Sequence, residues 1–182
     1  MINEIHSKLK NKEISCTNLV DEYLKKTKKL NPNLNAYITI SEKHAIEEAK
    51  RLDDMIAKTD DIEELIKKHP LLGIPIAHKD IYSTKDIETT ASSNVLRGYI
   101  PSYNATSVKK LKDAGAIIIG KLNCDAFAHG GSGMNSDFGP TKNPYDLEKI
   151  PGGSSSGSGV AVAADLSVIA TGTDTGGSIR SP

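Results

Sequence analysis

Two Gly/Ser-rich segments near the C-terminus constrain this chain more than any other feature. They are Pro151-Gly152-Gly153-Ser154-Ser155-Ser156-Gly157-Ser158-Gly159 and Thr171-Gly172-Thr173-Asp174-Thr175-Gly176-Gly177-Ser178-Ile179-Arg180. Each adjoins an apolar stretch, so both read as tight turns at the ends of buried elements rather than as linkers. Glycine at this density lets the backbone turn sharply, approach a ligand and aim several N–H groups at one point. A serine in such a turn has what acyl transfer needs, a nucleophile beside a site for an oxyanion. The missing part is a base. Lys79 closes an apolar run and precedes Asp80. On residues alone a lysine at a strand end reaches water; desolvated instead, it loses its charge and accepts a proton near neutrality. Neighbouring hydroxyls can hydrogen-bond such an amine without adding charge.

The remaining pattern supplies an α/β frame. Leu19, Val20, Tyr23, Leu24 and Leu30 form one helical stripe, which Asn31-Pro32 is expected to end. Ser41 is a candidate N-cap for a helix carrying Ile46, Ala49, Leu52 and Ile56, and 60–68 reads as a short third helix. The apolar run 71–77 reads as a buried strand. A helix over 107–114, Gly115 at its C-cap and a strand over 116–120 follow. A helix over 157–166 and a strand over 168–170 complete an alternation that argues for a sheet with parallel character. Residues 1–70 are thus expected to be a helical segment and 71–182 an α/β domain.

Several motifs compete with this reading and fail. Gly153-Ser154-Ser155-Ser156-Gly157 fits a nucleophile elbow, but that arrangement needs a histidine after the serine, and all five histidines precede it. Ser158 stands where a phosphate-binding loop needs lysine, and Val162 where a dinucleotide fingerprint needs glycine. Ser107-Val108-Lys109-Lys110 fits S-x-x-K but reads as a helix N-cap. His129, among Gly130, Gly131 and Gly133, reads as a structural hydrogen-bonder, and Lys142 as a solvated turn residue. Basic and acidic residues balance at 23 each, so no global field favours nucleic acid or a membrane surface. Cys16 and Cys124 lack metal-ligand or disulfide spacing. With no signal-peptide pattern and no long apolar run, the expected location is the cytoplasm.

Taken together, Lys79 in Gly73-Ile74-Pro75-Ile76-Ala77-His78-Lys79-Asp80, Ser154 in Pro151-Gly152-Gly153-Ser154-Ser155 and Ser178 in Asp174-Thr175-Gly176-Gly177-Ser178-Ile179-Arg180 resemble the amidase signature family. Ile14-Ser15, Asn35-Ala36-Tyr37, 114–121 and 135–144 look most like its glutamyl-tRNA(Gln) amidotransferase A subunits. The resemblance implies a mixed sheet flanked by helices, incomplete here because family members of this type are more than twice as long. It implies Ser178 as acyl-ester nucleophile, Ser154 (after a cis peptide bond) as proton relay and Lys79 as base. Thr175, Gly176, Gly177 and Ser178 would give the oxyanion hole, and Gly131 a substrate contact. It further implies glutamine as substrate, B and C subunits as partners, tRNA held mainly by the partner, and ATP and Mg used there. This chain itself would bind no cofactor or metal, and alone would be inactive. Ser156, Ile81 and Asp125 depart from the family's usual glycine, asparagine and glutamate. A stand-alone amidase acting on small carboxamides and a non-catalytic scaffold are the alternatives.

Overall fold

The computed structural model describes residues 1–182. The elements are α1 (Ile2–Lys10), α2 (Cys16–Leu34), β1 (Tyr37–Ile40), α3 (Glu42–Lys58), α4 (Ile62–Lys68), β2 (Pro75–Lys79), α5 (Thr106–Asp113), β3 (Ile117–Leu122), α6 (Ser156–Ala163) and β4 (Ile169–Thr171). The α/β reading holds, with differences at element ends. Pro32 lies inside the last turn of α2, where a missing N–H costs a single helical bond, and the helix stops only at Asn35, whose φ of 49° is left-handed. Ser41 occupies the N-cap of α3, yet its hydroxyl donates to the Ile118 carbonyl rather than capping. Ser107 is not a cap, because α5 begins one residue earlier behind Ala105.

Caps and stripes explain the helical layer. Ser15 Oγ accepts the Asn18 N–H at 3.0 Å, and Asp53 of α3 accepts the N–H groups of Cys16 and Thr17 at 2.7 and 3.0 Å. The free donors at the start of α2 are thereby satisfied from within and from a neighbouring helix. Leu19, Val20, Tyr23 and Leu24 on α2, with Ala45, Ala49 and Leu52 on α3, turn one face each into a core shared with Ile74, Ile117, Ile119 and Leu122. The N-terminal segment is therefore more than a helical layer. Its strand β1 pairs antiparallel with β3, and its helices cover the sheet.

The sheet runs β1-β3-β2-β4, with β2 parallel to both β3 and β4. From β2 the chain crosses to β3 on one side, then returns past β2 to reach β4 on the other. β2 therefore lies between two parallel neighbours, and the carboxyl ends of β2 and β4 lie side by side. Lys79 is the last residue of β2, and Thr171 the last of β4. No helix is long and apolar enough to cross a membrane.

Candidate active site

Strand pairing brings the two Gly/Ser segments to Lys79. His78 and Thr171 are cross-strand partners, and Thr171 Oγ1 accepts the Lys79 backbone N–H at 3.2 Å. The side chain of Lys79 runs beneath the start of α6, fully buried. Its Nζ lies 2.7 Å from Ser154 Oγ, 3.0 Å from Ser155 Oγ and 2.8 Å from Thr173 Oγ1. All three partners are neutral hydroxyls.

A second lysine provides the contrast. Lys121 is equally buried, but its Nζ lies 3.1 Å from Asp80 Oδ1. Burial lowers the pKa of both amines; at Lys121 the adjacent Asp80 opposes the shift. At Lys79 the opposition comes from Cys124, Asp125 and Asp174, none of them bonded to its Nζ. Lys79 is thus the buried lysine without a paired carboxylate, the setting in which a neutral amine persists. Burial, with Lys121 nearby, likewise pushes the His78 pKa down, to about 3.

Hydrogen-bond bookkeeping separates the serines. A hydroxyl has one proton to give. Ser155 Oγ donates to the Thr173 carbonyl at 3.2 Å and accepts from Lys79 Nζ and the Thr173 N–H, so its capacity is filled. Ser154 Oγ has Lys79 as its one bonded partner within the chain and lines a cavity of about 400 Å³. Ser178, Asp174, Thr173, Thr175, Gly176 and His129 line the same cavity. The Gly153–Ser154 peptide bond is cis, as the resemblance implies.

The Asp174–Arg180 turn is held by its own charges. Asp174 accepts the N–H groups of Gly177 and Ile179 at 2.8 and 2.9 Å and pairs with Arg180 at 3.0 Å. The Arg180 bond and these two N–H bonds hold its pKa below the usual carboxylate range. The Gly177 N–H is therefore committed to Asp174 and is not a free donor, whereas those of Thr175, Gly176 and Ser178 bond to nothing in the chain. Gly131 and Gly177 are not among the cavity-lining residues, although Gly130 is. Ser178 Oγ makes no hydrogen bond to Ser154; the two share the cavity wall. His129 is exposed at its rim, with Nδ1 3.1 Å from the Phe127 carbonyl.

Sequence reasoning missed Ser155 and Thr173 as specific partners of Lys79, and the holding role of Asp125. The Asp125 carboxylate accepts N–H groups of Ser132, Gly133 and Asn135 at 3.2, 3.2 and 2.9 Å. A Cβ on Gly130 would come within 2.6 Å of its Oδ2, so a short acidic side chain and a bare glycine share one space. Ser156 likewise has a specific partner, the Thr141 hydroxyl at 3.1 Å.

The family profile described as Amidase matches residues 18–182. Over 181 residues the chain is 49% identical to the glutamyl-tRNA(Gln) amidotransferase A subunit of Geobacter metallireducens, covering all of this chain and 36% of that protein. It thus spans about a third of the length of the curated relatives it matches. The crystal structure of the corresponding Thermotoga maritima protein, also a glutamyl-tRNA(Gln) amidotransferase A subunit, superposes with a TM-score of 0.75 at 39% identity, over 92% of this chain and 33% of that one. Native peptide amidase from Stenotrophomonas maltophilia gives 0.87 at 35% identity, over 98% and 37%. With a profile match over most of its length and this agreement in fold, the chain belongs to the amidase signature family.

Proposed function

We propose that this chain carries the glutaminase site of a cytoplasmic tRNA-dependent amidotransferase, releasing ammonia for conversion of Glu-tRNA(Gln) to Gln-tRNA(Gln). The observation that carries the reading is the buried Lys79 amine ringed by hydroxyls, with Ser154 free to face a cavity shared with Ser178. The Geobacter and Thermotoga relatives support the choice of substrate. Ser178 Oγ attacks the side-chain amide carbon of glutamine. Its proton passes to Ser154 Oγ as the Ser154 proton passes to the neutral Lys79 Nζ. The oxyanion is met by the N–H groups of Thr175, Gly176 and Ser178, each worth about 3–4 kcal/mol in the barrier. As the C–N bond breaks, Lys79 returns its proton through Ser154 to the nitrogen, which leaves as ammonia. Water then adds to the Ser178 ester, giving its proton to Lys79 by the same route. Glutamate departs as Ser178 Oγ recovers a proton.

In this reading B and C subunits complete a heterotrimer. ATP and Mg act at the partner, which also holds the tRNA, and this chain binds no cofactor. The 182-residue chain alone does not turn over glutamine. In the assembled enzyme, Ser178→Ala is expected to abolish glutamine hydrolysis while amidation from added ammonia continues; surviving hydrolysis would refute the nucleophile assignment. A stand-alone amidase is the second reading, favoured by the 0.87 superposition on the peptide amidase. Purification from the native host decides: the B and C subunits co-elute under the first reading and are absent under the second.

A further inference from the structure

On the opposite side of β2 from the hydroxyl ring lies a buried charge network that the chemistry above does not use. Lys121 and Asp80 are both fully buried. Lys121 Nζ reaches Asp80 Oδ1 at 3.1 Å, Thr89 Oγ1 at 2.6 Å and the Tyr82 carbonyl at 3.0 Å. Asp80 Oδ2 accepts the Thr90 backbone N–H at 2.9 Å and the Thr90 hydroxyl, and the Asp80 carbonyl accepts the Ala91 N–H at 3.0 Å. The pair thus fastens the loop 80–91 to the ends of β2 and β3.

The far end of that loop reaches the cavity. The Ala91 carbonyl accepts the Phe127 N–H at 2.9 Å, Ser92 Oγ accepts the Cys124 N–H at 2.9 Å, and the Ser92 carbonyl accepts the Asp137 N–H at 3.1 Å. Thr90 Oγ1 accepts the Ser92 N–H at 3.1 Å and links the two ends. Four non-glycine residues with positive φ meet at this joint: Ala91 (51°), Ser92 (57°), Phe127 (53°) and Ala128 (61°). Such backbone persists only where its surroundings enforce it. Phe127 and Ala128, with His129 and Gly130, make the cavity wall facing Ser178.

We propose that the Lys121–Asp80 pair is a positioning device for substrate: through Thr90 and the 91–92 joint it fixes the 127–130 wall on which the amide rests. The proposal rests on the amide-hydrolysing reading of the same cavity. A rigid wall contributes equally to bound substrate and transition state, so its loss is read in KM rather than kcat.

The test uses the assembled full-length enzyme with glutamine. Asp80→Asn/Lys121→Met removes both charges together and leaves no unpaired buried ion; Thr90→Val removes only the hydroxyl bridge from Asp80 to the Ser92 N–H and keeps the backbone bonds to Asp80. The double variant is expected to raise KM about tenfold, and Thr90→Val about threefold, with kcat within about twofold of the parent. The acid limb of the kcat profile should stay in place. A lower melting temperature with unchanged KM would show a purely structural pair and overturn the proposal. A fall in kcat with a displaced limb would show action on Lys79 instead, and would overturn it too. If the double variant fails to fold, Thr90→Val decides by the same criteria. A parent enzyme that hydrolyses no glutamine would instead refute the functional reading beneath it.

Discussion

Thr173→Asp tests the neutral-lysine chemistry by placing a charge where a hydroxyl now sits. Thr173 Oγ1 is 2.8 Å from Lys79 Nζ, and the residue is half-buried at the cavity edge. The bonds between the Ser155 hydroxyl and the Thr173 backbone do not involve the replaced side chain. A carboxylate there stabilises the ammonium by about 4 kcal/mol at an effective dielectric near 20 and a separation of about 4 Å. Desolvating the new charge offsets part of this. At 1.36 kcal/mol per pKa unit the remainder raises the Lys79 pKa by about one to two units. The sign follows from the mechanism. The base works neutral, burial has lowered its pKa from 10.5, and activity therefore rises with pH through a limb below 10.5. Thr173→Asp moves that limb upward and, at any pH below it, cuts kcat/KM about 10- to 100-fold. Ammonia release by the full-length enzyme across pH 6–10.5 measures it, with Thr173→Asn as the neutral control. A folded Thr173→Asp enzyme whose limb moves by less than about 0.3 unit would refute Lys79 as the titrating base.

Other expectations are more local. Gly157→Ala drives a methyl group into the backbone of Ala36 and Asn123, the latter at 2.6 and 2.7 Å, and should cost about 2–3 kcal/mol in urea unfolding. Leu52→Ala, fully buried between α3 and the core, should cost about 3 kcal/mol, while Met134→Ala, 49% exposed, should stay within about 0.5 kcal/mol. The thiols of Cys16 and Cys124 are buried and raised in pKa, chiefly by that burial, so neither should react with a disulfide reagent until the chain is unfolded.

What the sequence made legible was what local pattern controls. The apolar stripe of α2 and a short helix before residue 69 follow from spacing, whereas the strand expected over 71–77 lies at Pro75–Lys79, because residues 70–73 turn instead of extending. Strand β1 was not legible, because Tyr37–Ile40 is four residues long and takes its pairing from β3, some eighty residues later. The candidate site residues were visible as residue types among glycines. Their division of labour was not: Ser154 and Ser155 are neighbours in sequence, and it takes the fold to show the Thr173 backbone filling the capacity of Ser155 while Ser154 faces the cavity. The same holds for Gly177, whose N–H goes to Asp174 through a turn closed by Arg180. Lys121 carried no signal of its own in the sequence, and only the fold shows it buried against the Asp80 carboxylate.

The most direct measurement is the titration of the Lys79 amine itself, followed by NMR at its Cε and Nζ in isotope-labelled full-length protein. The expected midpoint lies below the ordinary 10.5 and moves upward in Thr173→Asp. An ammonium that keeps its proton up to 10.5 or beyond would leave Ser154 with no base to serve, and would contradict the account at its root.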